Sequence, residues 1–476
     1  MNRLTTYFPA MNFKKLQYAL AGLTLLAGVT SCELLKTEEV PDENNPGLVA
    51  VLTNPSKPQL DALAVAVEAS YRLMHTGNAP YSWVMSTLSR EVTVLANTES
   101  RWYEEMQGRS RITGAVPLDD AAYYNGYYIS VARVGRAARI YRQSAQNAAT
   151  AILNDEQKAG VNGFALTYEA LSKLMLLNMQ GDGGIRVVLE NELRPGPFVS
   201  PTDALTNIRQ QLDQGAAELD KAGAAFGFSL SGGFAGFNTP ATFKQFNRAL
   251  AARVSLYQRD YAGALAALAQ SFYNRAGDLS VGPKITFNPA NAGDQGNAYF
   301  QVSNNTGATV LTVPENFVTE AEASTDARLS KAGLRTAPRA TGDISARYEV
   351  RRFASNIASL DIIRNEELVL IAAEARARTN DLAGALLDVN AVRMRSGNLP
   401  ARAAFATAEE AEVEILKQRR YSLFFEGHWL VDLRRLSRFT PTPAPGITLA
   451  FSTGTYRLIS RMPRPAAEVA WDNANK

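Results

Sequence analysis

Cysteine is nearly missing from this chain: Cys32 is the only one in 476 residues, and histidine is limited to His75 and His428. A single cysteine excludes an intrachain disulfide, and so few soft ligands argue against a zinc or iron–sulfur site, so no metal or cofactor is expected. An excess of one charge is missing too. With 49 Lys and Arg against 46 Asp and Glu, the formal net charge is only +3, which does not suggest nucleic acid as the main partner. The glycine-rich stretches near Gly181 and Gly232 lack the GxGxxG or GxxxxGK[ST] order of phosphate cradles, and no GxSxG elbow is present. What remains is ordinary globular material, 46% apolar and 20% charged, enough for a sizeable core.

The first 32 residues read as an address. Lys14 and Lys15 precede the apolar run Leu16 to Gly28, which is shorter than the ~20 residues a membrane-spanning helix needs. The run has the length of a signal-peptide core and ends in Val29-Thr30-Ser31-Cys32, a pattern that resembles a bacterial lipobox. In such signals the cysteine is diacylated and the chain is cut before it. Residues 1–31 are therefore read as a lipoprotein signal peptide and Cys32 as the lipidation site. The sequence leaves open whether Met1 or Met11 is the start. Acyl chains hold a soluble domain at a membrane surface through about 0.8 kcal/mol per buried CH2. Residues 32–56 begin with a polar, acidic, proline-bearing stretch and are read as a flexible tether.

From residue 57 to 476 the dominant signal is a helical period, and the fold expected is mainly α: helical hairpins of tetratricopeptide type carrying long insertions of loop and short strand. In Gln59–Leu73 the residues Leu60, Leu63, Ala64, Val67 and Tyr71 share one face. Tyr128, Val131, Ala132, Val134 and Ala138 do so in a second segment, residues 119–145. Ser200 is expected to cap a helix over Pro201–Leu219. Residues 248–269 and 370–390 repeat one design, in which a small-residue helix is followed by a turn ending in Asp260 or Asp381 and then by Ala-Gly-Ala-Leu. Insertions are placed at about 226–242 and 278–352.

Arg364 to Ala375, Asn390-Ala391-Val392-Arg393, Arg419 to Arg435 and the Arg461-Met462-Pro463-Arg464-Pro465 tail resemble the SusD/RagB family of nutrient-binding outer-membrane lipoproteins. The most specific element is Phe424-Phe425-Glu426-Gly427-His428-Trp429, followed by Asp432-Leu433. Met179-Gln180-Gly181-Asp182 and Ser200-Pro201-Thr202 support the resemblance in the middle of the chain. It implies a scaffold of four tetratricopeptide-like hairpins. It also implies a lipid-anchored, cell-surface protein that lids a SusC-like TonB-dependent outer-membrane barrel and delivers an oligosaccharide, or a peptide, to it. A surface glycan hydrolase and an envelope scaffold without a small ligand are the competing readings.

Enzyme chemistry has little to stand on in the residues. His428 beside Glu426 invites a catalytic reading, but Arg420, Glu426 and Asp432 look like a structural charge network, and Glu374 is expected to pair with an arginine such as Arg393. The acid pairs Glu104-Glu105 and Asp119-Asp120 have no spacing that singles them out for glycoside hydrolysis. For binding, the polar segment Asn97 to Arg111 carries Trp102 and Tyr103 among Asn97, Arg101 and Gln107. This is the pattern of an exposed aromatic platform on which a sugar C–H face packs. Tyr81 with Trp83, and Tyr299 with Phe300, are further candidates.

Overall fold

The computed structural model describes residues 48–77, 80–108, 118, 124–291, 294–341, 344–440 and 457–475. The signal segment, Cys32, most of the tether, Asp119 and Asp120 lie outside these residues. The chain divides into Met1–Val51 and Leu52–Lys476, and the elements labelled here belong to the second unit. A short helix, Leu48–Thr53, stands where the tether reading continued to residue 56. Its sequence, Leu-Val-Ala-Val-Leu-Thr, is apolar, unlike the acidic stretch before it.

The helices begin where capping chemistry allows. Helix α1 (Lys57–Thr76) has Ser56 at its N-cap in a capping box with Gln59, and it buries Leu60, Ala64, Val67 and Tyr71. After α2 (Tyr81–Leu88), helix α3 (Asn125–Asn147) buries Tyr128, Val131, Val134 and Ala138. Helix α4 (Asp155–Gln180) is capped by Asn154 with Gln157, has Asp155 and Glu156 in its first turn, and is buried around most of its circumference. Ser200 caps α5 (Pro201–Lys221), its hydroxyl accepting from the Asp203 amide at 3.2 Å. Helix α6 (Pro240–Gln258) leads into α7 (Tyr261–Leu268), and α8 (Asn365–Arg378) into α9 (Leu382–Arg395). Then come α10 (Ala408–Ser422), α11 (Trp429–Arg435) and α12 (Ala466–Ala474). Sequence neighbours pack antiparallel along the series α3, α4, α5, α6, α7, and α8 lies against α6, α7, α9 and α10.

The two matched hairpins share one turn. Arg259 and Asn380 take the left-handed conformation, at φ 61° and 66°. The following aspartate then caps the next helix: Asp260 accepts from the Gly263 amide at 2.9 Å, and Asp381 from the Gly384 amide at 2.8 Å. A Cβ on either glycine would run into that carboxylate.

The long insertion contributes most of the strand structure. Strand β1 (Thr93–Ala96) pairs antiparallel with β5 (Thr309–Val313), which pairs with β7 (Ile344–Val350), which pairs with the edge strand β6 (Ala332–Thr341). Two-residue pairings join β2 (Ile185–Arg186) to β3 (Phe198–Val199) and β4 (Lys284–Ile285) to β8 (Leu360–Asp361). The shorter insertion stops at Thr239, which caps α6, and its Phe234 and Phe237 enter the core.

Candidate functional site

The segment after β1 is tied into the sheet. Asn97 is exposed, its amide donates to the Ala308 carbonyl at 2.8 Å, and its side-chain oxygen accepts from Arg339 at 2.7 Å. Arg101 lies partly exposed in an ion pair with Glu99 at 3.0 Å. Gln107 faces inward: its amide donates to Thr93 Oγ1 at 2.9 Å and to the Val92 carbonyl at 3.3 Å. The segment is therefore a folded cover over the sheet, and the exposure expected of its rings needs correction. Trp102 is 5% exposed and Tyr103 7%. Tyr103 packs with Leu95 and Ile344.

Trp102 is the centre of an aromatic cluster. Trp83 meets it edge-on at 6.0 Å, Tyr127 stacks on it at 5.8 Å with 30° between planes, and Tyr124 meets Tyr127 at 5.6 Å. Trp83 and Tyr127 are only half-buried, so the cluster reaches the surface through them. Tyr124 is fixed from below, its hydroxyl donating to Glu105 Oε2 at 2.8 Å. Neither tyrosine was singled out from the sequence. The density of rings in Tyr123-Tyr124-Asn125-Gly126-Tyr127-Tyr128 is the signal that could have found them. Tyr81 and Tyr299 belong to the interior. Burial pushes the Tyr81 hydroxyl up to about 12, and the Tyr299 hydroxyl bonds His75 Nδ1 at 2.8 Å. The structure thus brings Trp83 and Trp102 together and separates Tyr81, Tyr103 and Gln107 from them.

The charged residues of the C-terminal third are held in buried ion pairs. Arg364 reaches both oxygens of Glu426 at 2.5 Å, and Arg352 reaches the same carboxylate at 2.9 Å. Arg419 and Arg435 hold Asp432 at 2.7 and 2.9 Å. Glu374 pairs with Arg435 at 2.7 Å, not with Arg393, whose guanidinium is taken by Glu322 and Glu414. Arg420 pairs with Glu320. His428 is buried between Tyr257 and Glu367, at 3.5 and 3.6 Å, and burial pulls it down to about 4. Its neighbouring carboxylates, Glu367 and Glu426, are tied to Arg253 and to Arg364 and Arg352. Among the described residues no group of His, Cys, Asp and Glu is placed to hold a metal ion.

The Gly181 turn joins the middle of the chain to its tail. Gly181 has φ 51°, and a Cβ there would lie 2.6 Å from Arg434 Nη1. The Met462 amide donates to the Met179 carbonyl at 2.9 Å, and Arg464 donates to the Gly183 carbonyl at 2.6 Å. The motifs near residues 180, 434 and 462 are therefore one packed joint. A sequence model of the SusD family matches residues 350–465, which includes two sides of that joint. Over those residues the chain matches the SusD family, and its fold class is SusD-like. Its fold is similar to solved SusD-like structures along nearly its full length. A SusD superfamily protein from Parabacteroides distasonis aligns with a TM-score of 0.65 at 14% identity, covering 88% of this chain and 98% of that one. A SusD-like carbohydrate binding protein from Bacteroides vulgatus aligns at 0.58 with 16% identity, covering 80% and 83%. A laminarin-binding SusD-like protein aligns at 0.53 with 17% identity, covering 80% and 92%. No curated protein sequence matches the chain.

Proposed function

We propose that this SusD-like protein is a binding protein without catalytic activity, held by lipid on Cys32 at the outer-membrane surface. It captures a glycan there and passes it to a TonB-dependent barrel. The observation that carries the glycan reading is the aromatic cluster of Trp83, Trp102 and Tyr127, two of whose rings are only half-buried, with exposed Asn97 and partly exposed Arg101 on the same segment as Trp102. Aromatic faces take the apolar side of a sugar ring, while amide and guanidinium groups beside them take its hydroxyls. Two of the similar structures are of proteins named for binding carbohydrate or laminarin, which supports the same class of ligand here. The anchor reading is supported by the lipobox-like end of the leader. Among the described residues, no helix is long and apolar enough to cross a membrane.

The test is thermal unfolding of the full chain against neutral and acidic glycans and peptide digests. Ligand at ~100 times its Kd stabilises the fold by about 2.7 kcal/mol. One glycan class is expected to shift the transition, with no product released. Trp83→Ala should remove the shift at little expense to stability, because the ring is only half-buried. Trp102→Ala is the wrong probe, since emptying its buried position costs ~3–5 kcal/mol of stability by itself. Stabilisation by peptides alone, or a glycan shift that survives both Trp83→Ala and Tyr127→Ala, would sink the reading.

A further inference from the structure

A cleft of about 440 Å3 opens farther along α3, walled by α4, the loop at 187–197 and the start of α12. That size suits a small-molecule site, and none of the four rings of the aromatic cluster lines it. Its floor holds Lys173, only 7% exposed. The ammonium donates to two neutral oxygens, Asn207 Oδ1 at 3.1 Å and Gln211 Oε1 at 2.8 Å. It has three protons to give, so one is unspent. Among the described residues no carboxylate lies within ion-pair distance of it, and burial pulls its pKa down.

The acids that line the cleft are committed elsewhere. Glu169 pairs with Arg142 at 2.9 Å, Glu192 with Arg136 at 2.8 Å and Arg139 at 3.2 Å, and Glu468 with Arg186 at 2.7 Å. Arg133, exposed at the rim, has no partner among the described residues. It shares a helix face with Arg136 and Arg139, a stripe about 9 Å long at 1.5 Å rise per residue. Arg133 therefore has no counter-charge among the described residues, and Lys173, on which the charges of Glu169 and Glu190 act without contact, has none paired with it in a desolvated position where an unpaired charge is costly. Between them the wall is apolar, with Ile129, Leu176 and Leu189. A bare inorganic anion would leave that wall wet. A ring with a C–H face and a carboxylate would cover it.

We propose that this cleft binds the carboxylate of an acidic sugar, with Lys173 as its buried counter-charge and Arg133 at its rim. The site stands apart from the aromatic cluster and does not depend on the ligand assigned there. Calorimetry on the full chain with trigalacturonate, and with maltotriose as the neutral control, tests it. Trigalacturonate is expected to bind, less tightly as salt rises, and maltotriose is expected not to bind in this cleft. Lys173→Met should weaken trigalacturonate by about tenfold or more, the loss of one charged hydrogen bond. Because a core substitution can disturb folding, Arg133→Glu is measured beside it; that side chain is exposed, and reversing it should weaken binding by a similar factor. Trp83→Ala should leave trigalacturonate unchanged. Absence of trigalacturonate binding, equal binding by the Arg133→Glu chain, maltotriose binding reduced by Lys173→Met, or loss of trigalacturonate with Trp83→Ala would each overturn the assignment.

Discussion

Glu91 is a carboxyl inside the core, 6% exposed, whose Oε2 accepts from Ser86 Oγ at 2.7 Å and from the Phe425 amide at 3.1 Å. The second bond holds Phe425 in the left-handed conformation, at φ 62°, so this acid shapes the turn that carries Glu426 and Gly427. Burial outweighs those two bonds and raises its pKa from 4.5 to about 7. An acid whose folded pKa is raised favours the folded state while protonated. Its contribution is complete below pH 4.5 and is lost as pH rises through 7. Glu91→Gln keeps an oxygen for both donors and removes the charge. At pH 8 the variant is expected to be at least as stable as the parent. As pH falls to 4.5 the parent should gain on it, by a shift on the order of 3 kcal/mol. Denaturant unfolding at the two pH values measures this, and a difference that does not move with pH would show that Glu91 is not titrating in the core.

At the scale of elements, the hairpins were the most legible part of the sequence because their turn chemistry is local. Asp260 and Asp381 each sit three residues before a glycine, and both become caps on that glycine's amide. Asp381→Ala should cost ~1 kcal/mol of stability, the usual loss of an N-cap. Gly384→Ala should cost about the same by driving the carboxylate off the amide. The double variant should then cost no more than the larger single loss, because both changes remove one contact; additive losses would separate the glycine from the cap. The aromatic cluster was less legible, for the opposite reason. Trp102 sits in a polar stretch that reads as exposed, yet its neighbours are Trp83 on α2 and Tyr127 on α3, brought in by tertiary packing that no local pattern encodes. The partner of Glu374 was hidden in the same way: a buried acid needs an arginine, but Arg435 or Arg393 is a matter of how helices cross. Strand placement in 278–352 could be read from Thr309–Val313, whereas its pairing with Thr93–Ala96 spans more than 200 residues and could not.

The acid response belongs to the whole molecule, because every group in it is buried where separate elements meet. His75 lies against Tyr299, and His428 lies between Tyr257 and Glu367; burial pulls their pKa values from 6.5 to about 3 and about 4. Both fold neutral and must be charged in the unfolded chain below pH 6.5, so stability falls as pH drops from that value. Glu366 and Glu367 behave differently. Arg364 and Arg253 hold them down to about 2, so their contribution persists above pH 4.5 and is lost only toward pH 2. Between pH 6.5 and 4.5, then, the unfolded chain takes up two protons on histidine while the folded chain takes up one on Glu91. Over these three groups the net is one proton, a slope of about 1.4 kcal/mol per pH unit. Glu91→Gln removes the opposing proton, so its slope in the same window should double, although the variant carries no histidine change. Stability measured by denaturant titration at half-unit steps of pH gives both slopes. Equal slopes for the two chains would mean that Glu91 does not titrate in the core, and a flat profile for Glu91→Gln down to pH 4.5 would mean that the histidines gain their protons in the folded chain.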